Sequence, residues 1–456
     1  MVICHMRIGT VAYRVVLVGV LLGGGEKKAA TGSPPPPTPA PTPTPTPTPT
    51  PAVASPAKVV ATPPTPSPDG LAGTWYRAVL KYDKIGELPF YLHIPERGRD
   101  GKAFVINGTE TVEFNAEWRE NEVSVTGPWN YTSVIEAELD AATHKLRGQW
   151  TRDTPLWGAV VRDFEATPIV DTDPQQRFAA LGTAPPSISA GGTWKFRFKE
   201  HGESEGILEQ TPDGVVRGFI KPGQLGDARF LAGNVHGTKL GLSQFNGNSA
   251  NLVLAELSPD GKTMKGLLSM QNVWNETFTA EKLAGYHFVN KVHLKAGKTS
   301  LSLAGLAKYK GKPTLAIIFA TWCPSCNDAH PFFKELYTKY HSKGLEVLGV
   351  SYELSEDRKA NQAQIDSFRK KYDVPWELLQ VPCTPETWAK AMPPELENWD
   401  GLPIIALIRA DGTVYTVFGG WFGPATGAEG ERLKVWLEDA TKSLLAGGDT
   451  QQLRPF

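Results

Sequence analysis

The hydrophobic positions divide the chain into regions of different period. Between residues 70 and 285, short segments alternate apolar with polar residues, and glycine and asparagine separate them. This is the pattern of strands with one buried face. The period is clearest in four segments, Leu88–Ile94, Glu122–Thr126, Ser133–Leu139 and Ala250–Leu257. Because no stretch here has convincing helical spacing, we predict that the region is all-β.

The all-β region contains an internal duplication. Gly73-Thr-Trp75 and Gly192-Thr-Trp194 open the two copies, which close on aromatic strands ending in Phe164-Glu-Ala166 and Phe278-Thr-Ala280. Two copies of one antiparallel meander are implied, folded as barrel-like units or as a sandwich. A Gly-x-Trp at the start of a meander resembles the opening of lipocalin barrels, which bind apolar ligands in the lumen. A tryptophan that fills a packed core is the favoured alternative.

From residue 286 onward, continuous apolar runs alternate with helical spacing. The predicted order is strand Leu315–Phe319, helix Pro324–Ser342, strand Leu345–Val350, helix Lys359–Tyr372, strand Ile404–Ile408, a hairpin turn at 411–412, strand Val414–Phe418 and helix Glu429–Leu445. This order predicts an α/β layer arrangement.

The N-terminal residues have two distinct compositions. Arg7 and Arg14 accompany the apolar run Val15–Leu22, which is typical of an export signal or an uncleaved signal anchor. Sixteen of the 38 prolines then lie between Ser33 and Pro68. Because proline fixes φ and removes hydrogen-bond donors, we predict an extended, disordered stalk here.

The predicted organisation is therefore multidomain. Its parts are an export signal or signal anchor (1–30), a Pro/Thr-rich stalk (31–69), β repeat 1 (70–168), a linker (169–189), β repeat 2 (190–285), an α/β domain (286–448) and a tail (449–456).

Composition narrows the function. The 47 lysines and arginines nearly balance the 48 aspartates and glutamates, so no global field attracts nucleic acid, and we expect no nucleic-acid partner. The chain has four cysteines, Cys4, Cys323, Cys326 and Cys383, which are too few for a disulfide-stapled scaffold. We expect neither a bound cofactor nor a metal site.

The motif Cys323-Pro324-Ser-Cys326 lies between a predicted buried strand and a predicted helix. The helix N-terminus favours a thiolate at Cys323, which makes that residue the expected nucleophile. Cys326 lies one helical turn away and is the expected resolving cysteine. Pro324 suits the first turn, where its missing N–H is not needed.

Other interpretations of the pair stay open. The pair could form half of a zinc site, which would need two more ligands. His330 and Cys383 are the candidates, although no second Cys-x-x-Cys exists. A purely structural disulfide would add little stability because its loop is so short. Cys383 is itself either a buried small hydrophobic residue or a third redox partner.

Residues 289–445 resemble the TlpA-like branch of the thioredoxin superfamily, the extracytoplasmic thiol–disulfide oxidoreductases. The resemblance rests on four features: Phe319–Cys326, Pro331, Gly344–Val350 and Gly401-Leu402-Pro403. It implies a thioredoxin fold and a cis peptide before Pro403 that places this loop against the sulfur pair. We accordingly expect four residues to contact the substrate polypeptide, namely Trp322, Pro324, Leu402 and Pro403.

Two departures from the family concern proton transfer at Cys326. Ile317 stands where thioredoxins keep a buried aspartate, and Ala329 stands where many TlpA-like proteins keep a glutamate. Asp328 and His330 are the available substitutes, although solvated helix positions are the favoured expectation for both.

The leading function is an extracytoplasmic oxidoreductase that reduces disulfides of envelope polypeptides and is itself recharged by an upstream thiol reductant, membrane-bound or soluble. The expected location is the bacterial periplasm or cell envelope, with an N-terminal membrane tether as an open alternative. A peroxiredoxin-like peroxidase is a second possibility, although Thr321 does not match the peroxiredoxin motif. A third is a ligand-binding or adhesion protein that works through its β region. The direction of electron flow depends on the reduction potential, which the motif does not determine.

Overall fold

The computed structural model describes residues 73–129, 131–154, 158–170, 172–200, 202–221, 228–284, 288–399 and 401–449. The predicted export signal, the predicted stalk and all but the first residue of the predicted tail lie outside these residues. The described residues belong to one compact unit.

The first β repeat is a closed barrel of eight antiparallel strands in sequential order, which β1 closes by pairing with both β2 and β8. The strands are β1 Gly73–Tyr82, β2 Gly86–Pro95, β3 Gly101–Asn107, β4 Glu110–Arg119, β5 Glu122–Thr126, β6 Ser133–Leu139, β7 Leu146–Thr154 and β8 Gly158–Ile169.

The second repeat is another closed eight-stranded barrel, in which β9 pairs with both β10 and β16. Its strands are β9 Gly192–Phe198, β10 Gly202–Gln210, β11 Val215–Lys221, β12 Ala228–His236, β13 Lys239–Phe245, β14 Ala250–Leu257, β15 Thr263–Met270 and β16 Trp274–Leu283. The predicted all-β duplication is confirmed, in its barrel form.

Side chains fill both barrels. An eight-stranded barrel encloses a lumen just wide enough for such filling. Trp150 on β7 and Phe90 on β2 are fully buried in the first barrel, and Trp194 and Phe196 on β9 are fully buried in the second. Packed aromatic cores therefore occupy the lumens that a lipocalin-type ligand would need.

The two Gly-x-Trp openings are not equivalent. Trp194 lies inside its barrel, whereas Trp75 is half-buried and packs on His93 with ring centroids 5.0 Å apart. Tyr76, the next residue, enters the core instead. Because alternate strand residues face opposite sides, an offset of one residue moves the tryptophan to the other face. The expectation of a core tryptophan is wrong for the first copy.

The tip of the β13–β14 hairpin joins the second barrel to the first. Phe245 is fully buried in the core of the first barrel and stacks on Phe90 at 4.3 Å. Side chains of the first barrel satisfy the backbone of this tip: Asn107 Nδ2 donates to Phe245 O at 2.6 Å and Ser133 Oγ donates to Gly247 O at 2.7 Å. The hairpin therefore plugs the first barrel.

Arg177, in the segment between the barrels, reinforces this junction. Its buried guanidinium donates to Ser243 Oγ at 2.9 Å, to Ile106 O at 3.0 Å and to Asn107 Oδ1 at 3.1 Å. One side chain thus bonds to both barrels, and burial lowers the pKa of Arg177 to about 10.

The C-terminal region is a five-stranded mixed sheet with helices, in the order β20-β19-β18-β22-β23. Strand β18 is parallel to β19 and antiparallel to β22. The strands are β17 His293–Leu294, β18 Thr314–Phe319, β19 Glu346–Glu353, β20 Glu377–Pro382, β21 Leu396–Glu397, β22 Ile404–Ile408 and β23 Val414–Gly419, and the helices are α1 Pro324–Tyr340, α2 Arg358–Tyr372, α3 Trp388–Ala391 and α4 Ala428–Leu445. The thioredoxin fold is confirmed; β20, α3 and the β17–β21 pair were not predicted.

The second barrel packs on this C-terminal layer. Phe219 of β11 lies edge-on to Phe288 at 6.2 Å, and Phe288 stacks on Phe422 at 4.7 Å. Phe219 therefore belongs to the same hydrophobic cluster as the central sheet. Among the described residues, no helix is both long and apolar enough to cross a membrane.

Replacing Arg177 by alanine is expected to lower the free energy of unfolding by about 2–4 kcal/mol, because buried acceptors in both barrels lose their donor. Urea unfolding of the full chain measures this change. Arg97→Ala is the control, since its exposed side chain makes one bond to Glu120 O. A wild-type midpoint for Arg177→Ala would show that the junction does not depend on this residue.

Candidate active site

The start of α1 positions the sulfur pair. Cys323 is the extended residue that caps the helix, and its Sγ accepts a hydrogen bond from Cys326 N–H at 3.2 Å. A disulfide joins Cys323 to Cys326, whose Cα atoms lie 5.3 Å apart. Cys323 is 5% exposed and Cys326 is fully buried. The cysteine expected to attack is therefore the one nearer to solvent.

The loop before β22 lies against this pair. The Leu402–Pro403 peptide is cis, and Leu402 O lies 3.7 Å from Cys323 Sγ. Trp322 is half-buried and donates through Nε1 to Tyr352 O at 3.0 Å, while Pro324 occupies the first helical position. The structure thus brings together the four residues expected to contact a substrate, and their role in binding stays a prediction.

The side chain of Asn327 fastens the motif to α2. Its Nδ2 donates to Thr321 O at 3.0 Å and to Cys323 O at 2.8 Å, and its Oδ1 accepts from Tyr372 O–H at 2.8 Å. One buried amide therefore holds the two carbonyls that flank Trp322.

His330 is not a solvated helix residue, and that expectation is wrong. It is 1% exposed, and its ring packs against Phe319, Phe333 and Phe368. Nδ1 of the ring bonds to Cys326 O at 2.7 Å, and Nε2 has no hydrogen-bond partner among the described residues. Burial lowers the pKa of His330 to about 4, so the ring is neutral at neutral pH.

Asp328 is not simply solvated either. Its carboxylate forms an ion pair with Arg229, which the second barrel supplies from β12. The Asp328 side chain is 24% exposed and that of Arg229 is 6% exposed. The solvated expectation is wrong here because a neighbouring barrel covers this face of the helix.

Glu353, at the end of β19, is a buried carboxyl beneath the motif. Its two oxygens accept from Thr321 N at 3.1 Å, from Thr321 Oγ1 at 2.9 Å and from Ser351 Oγ at 2.5 Å. Burial raises the pKa of Glu353, and the bonds from Ser351 and Thr321 partly oppose that rise. Sequence reasoning missed this residue; its signal was an acidic residue three positions after the predicted buried strand Leu345–Val350.

Cys383 is buried and lies outside the disulfide. Its backbone N–H donates to Glu353 O at 3.0 Å, and its Sγ lies 3.4 Å from the same oxygen. Burial, and secondly the charge of Glu353, raise the pKa of Cys383 to about 11. The thiol is therefore protonated at neutral pH. Within the described residues, no three His, Cys, Asp or Glu side chains are placed to share a metal ion.

The first barrel also reaches the motif, through the loop between β5 and β6. Trp129 and Tyr131 stack with centroids 6.2 Å apart, and Lys371 Nζ of α2 lies 5.0 Å from the Trp129 ring centroid. Trp129 and Tyr131 line a small pocket together with Thr321 and Trp322. The first barrel thus forms one wall of the crevice beside Trp322.

Comparison with known families agrees with this geometry. Residues 283–418 match the Redoxin family model. Only this part of the chain, which carries the sulfur pair, is similar to the Redoxin family in that comparison. The match covers the sulfur pair, β17 to β22 and most of β23, and it leaves out both barrels except for Leu283 at the end of β16.

The curated proteins with local similarity to this chain include a peroxiredoxin and a thiol-disulfide oxidoreductase. Peroxiredoxin Q of Sedum lineare is 37% identical over 75 residues, which are 16% of this chain and 37% of that protein. Thiol-disulfide oxidoreductase ResA of Bacillus thuringiensis is 32% identical over 69 residues, which are 15% of this chain and 36% of that protein. The chain therefore spans little more than a third of the length of these relatives.

A secreted Mycobacterium tuberculosis disulfide oxidoreductase, described as homologous to E. coli DsbE, aligns structurally with 22% identity and a TM-score of 0.22. The alignment covers 32% of this chain and 96% of that chain.

His330 should make stability depend on acid pH. Its pKa of about 4 lies below the ~6.5 of an unfolded histidine, so the unfolded chain binds the proton first as pH falls. Stability present above pH ~6.5 is therefore lost towards pH ~4, by an amount on the order of 3 kcal/mol. Urea unfolding across this range should show the loss in wild type and a smaller loss in His330→Phe. Exposed His293→Gln is the control, and equal slopes for wild type and His330→Phe would contradict this assignment.

Titration of Glu353 should change the pH dependence of stability in the direction opposite to that of His330. Because its pKa is raised on folding, the folded protein holds the proton more tightly, and stability is lost as pH rises above the unfolded value of ~4.3. Glu353→Gln should flatten this decline between pH ~5 and ~8. Glu353→Ala should instead cost about 1–3 kcal/mol at either pH, because it leaves Thr321 N–H buried without an acceptor.

Urea unfolding at the two pH values separates these effects, with the exposed Glu117→Gln as the matched control. A decline in Glu353→Gln as steep as in wild type would show that Glu353 does not titrate in this way.

Proposed function

We propose that the protein is an extracytoplasmic thiol–disulfide oxidoreductase that reduces disulfides of envelope polypeptides through Cys323 and Cys326. The observation that carries the proposal is the position of Cys323 at the N-terminus of α1, disulfide-bonded to Cys326 and facing the Leu402 carbonyl. Unpaired N–H groups and the helix dipole at this position favour the thiolate.

The reaction balances as a two-electron exchange. In the reduced protein, the Cys323 thiolate attacks one sulfur of a partner disulfide, which forms a mixed disulfide and releases the first partner thiolate. Cys326 then loses its proton and attacks Cys323 Sγ, which releases the second partner thiolate. The partner leaves as a dithiol and the protein as the Cys323–Cys326 disulfide. An upstream dithiol must supply the next two electrons.

The backbone beside the sulfurs suits a polypeptide partner. In the pair Leu402–Pro403, the carbonyl of Leu402 lies beside Cys323 Sγ, and Pro403 O accepts from Gly420 N–H at 2.8 Å. The hydrogen bond from Gly420 therefore holds this loop at Pro403, while the carbonyl of Leu402 lies beside the reactive sulfur. Trp322 offers an aromatic face next to it.

The proposed location rests on the N-terminal pattern of Arg7, Arg14 and the apolar run after them, followed by the proline-rich tract. The local similarity of the chain to ResA, a thiol-disulfide oxidoreductase, supports the proposed class of reaction.

A peroxidase is the second candidate, because peroxiredoxin Q is among the similar proteins. In that case Cys323 would reduce a peroxide and form the same disulfide with Cys326. Peroxide consumption by the reduced protein, measured beside insulin reduction, distinguishes the two activities.

Cys323→Ser is expected to lower insulin reduction to the uncatalysed rate, because the nucleophile is gone. Cys326→Ser is expected to accumulate mixed disulfides that a reductant releases, because nothing resolves them. Insulin turbidity and non-reducing gels measure the two effects. Cys383→Ala is the control and should keep wild-type activity. Wild-type rates in both serine variants would refute the proposal.

A further inference from the structure

The second barrel places a positive charge on the redox helix. Arg229 is the second residue of β12, and its largely buried guanidinium forms an ion pair with Asp328. Asp328 lies two residues after Cys326 and five after Cys323. At 1.5 Å per helical residue, it stands about 7.5 Å along the axis from the nucleophile.

The carboxylate of Asp328 would otherwise oppose the chemistry. A negative charge near a thiol disfavours the thiolate and raises its pKa, and at this distance a partly buried charge is only weakly screened. The partner guanidinium removes that penalty. The helix N-terminus can then stabilise the Cys323 thiolate without a competing anion beside it.

Of the other charged and titratable groups around the motif, the cation Lys371 on α2 lies over aromatic rings, with Nζ 5.0 Å from the Trp129 ring centroid and 5.1 Å from that of Tyr372. His330 on α1 is neutral, and Glu353 on β19 is an acid whose burial raises its pKa. Tyr372 on α2 is a phenol whose pKa burial also raises. From the first barrel, Glu110 faces Arg229, whose charge lowers the pKa of that buried carboxyl against the larger effect of burial.

Arg229 has a second route to the motif. Its charge acts on Tyr372, whose hydroxyl donates to Asn327 Oδ1 at 2.8 Å. Asn327 in turn holds the carbonyls of Thr321 and Cys323. The guanidinium therefore contacts the first turns of α1 directly and lies next to the amide network that fastens them.

We propose that Arg229 is a positioning residue for the dithiol. By pairing with Asp328, it cancels a negative charge beside Cys326 and holds the first turns of α1, so that the second barrel sets the thiolate pKa of Cys323 and the reduction potential of the pair. This inference deepens the proposed function and rests on it, since it concerns the same two sulfurs.

The test compares Arg229→Gln, Asp328→Asn and the double variant in the full chain. After reduction, the rate of Cys323 alkylation by iodoacetamide is followed by mass spectrometry between pH ~5 and ~9, which gives the thiol pKa. Equilibration with glutathione gives the stability of the disulfide. Neither readout requires a protein substrate.

The two single variants should shift the pKa of Cys323 in opposite directions. Arg229→Gln leaves Asp328 unpaired, so Cys323 alkylation should be about threefold to tenfold slower below its pKa, a rise of about half a unit to one unit. Its disulfide should also be harder to reduce with glutathione. Asp328→Asn should do the reverse. The double variant should return close to wild type, whereas mere loosening of the fold would shift both single variants in the same direction.

Arg229→Lys, which keeps the charge, should restore most of the wild-type behaviour. Arg197→Gln is the matched control, because Arg197 lies on the same barrel and pairs with Glu203 and Glu281 away from the sulfurs. A pKa of Cys323 in Arg229→Gln equal to wild type, or a double variant that behaves like Arg229→Gln, would overturn the inference. If wild type fails to reduce insulin while the opposite shifts are observed, the proposed function fails and the electrostatic role of Arg229 stands.

Discussion

The N-terminus of α1 is the constraint on which the site depends. Its first N–H groups have no partners within the helix, and one of them, from Cys326, points at Cys323 Sγ. A sulfur at this position is stabilised as an anion by the same groups that would otherwise need a capping side chain. The position exists because the central strand β18 ends at Phe319, a few residues before the motif, and helix α1 begins at Pro324.

The buried polar groups around this helix act on it through named contacts. Asn327 ties it to α2, Glu353 holds Thr321 from β19, and His330 bonds the Cys326 carbonyl from within an aromatic cluster. Each of these groups would be costly to bury without its partner. Together they hold the backbone on both sides of Trp322 in one conformation.

The barrels extend this framework beyond the residues that match the Redoxin family model. The hairpin tip that plugs the first barrel ties the two barrels together, and the second barrel packs on the C-terminal sheet through Phe219. Arg229 and Trp129 then reach the motif from different barrels. Buried side chains fill the lumens of both barrels.

The sequence predicted the local features well. The strand, the proline and the helix around Cys323 are adjacent along the chain, so their order alone placed the sulfur at a helix N-terminus. The alternation of β5 and β6 likewise predicted their bounds. The cis peptide before Pro403 followed from the family resemblance, since a proline alone does not specify its isomer.

The missed features all depend on distant partners. β20 escaped because an edge strand with a half-buried face lacks a clean period. His330 and Asp328 were assigned to solvent because a polar helix residue reveals its burial only when neighbouring elements are placed. Trp75 was misassigned because identical tripeptides can enter a strand one residue out of phase.

The most direct test of the account is the equilibrium of the full-length protein with glutathione, read as the fraction of the Cys323–Cys326 disulfide. A reductant is predicted to behave like thioredoxin, with a single two-electron transition near about −270 mV. A transition near about −120 mV, the range of the oxidant DsbA, or the absence of a reversible disulfide between these two cysteines, would contradict the account.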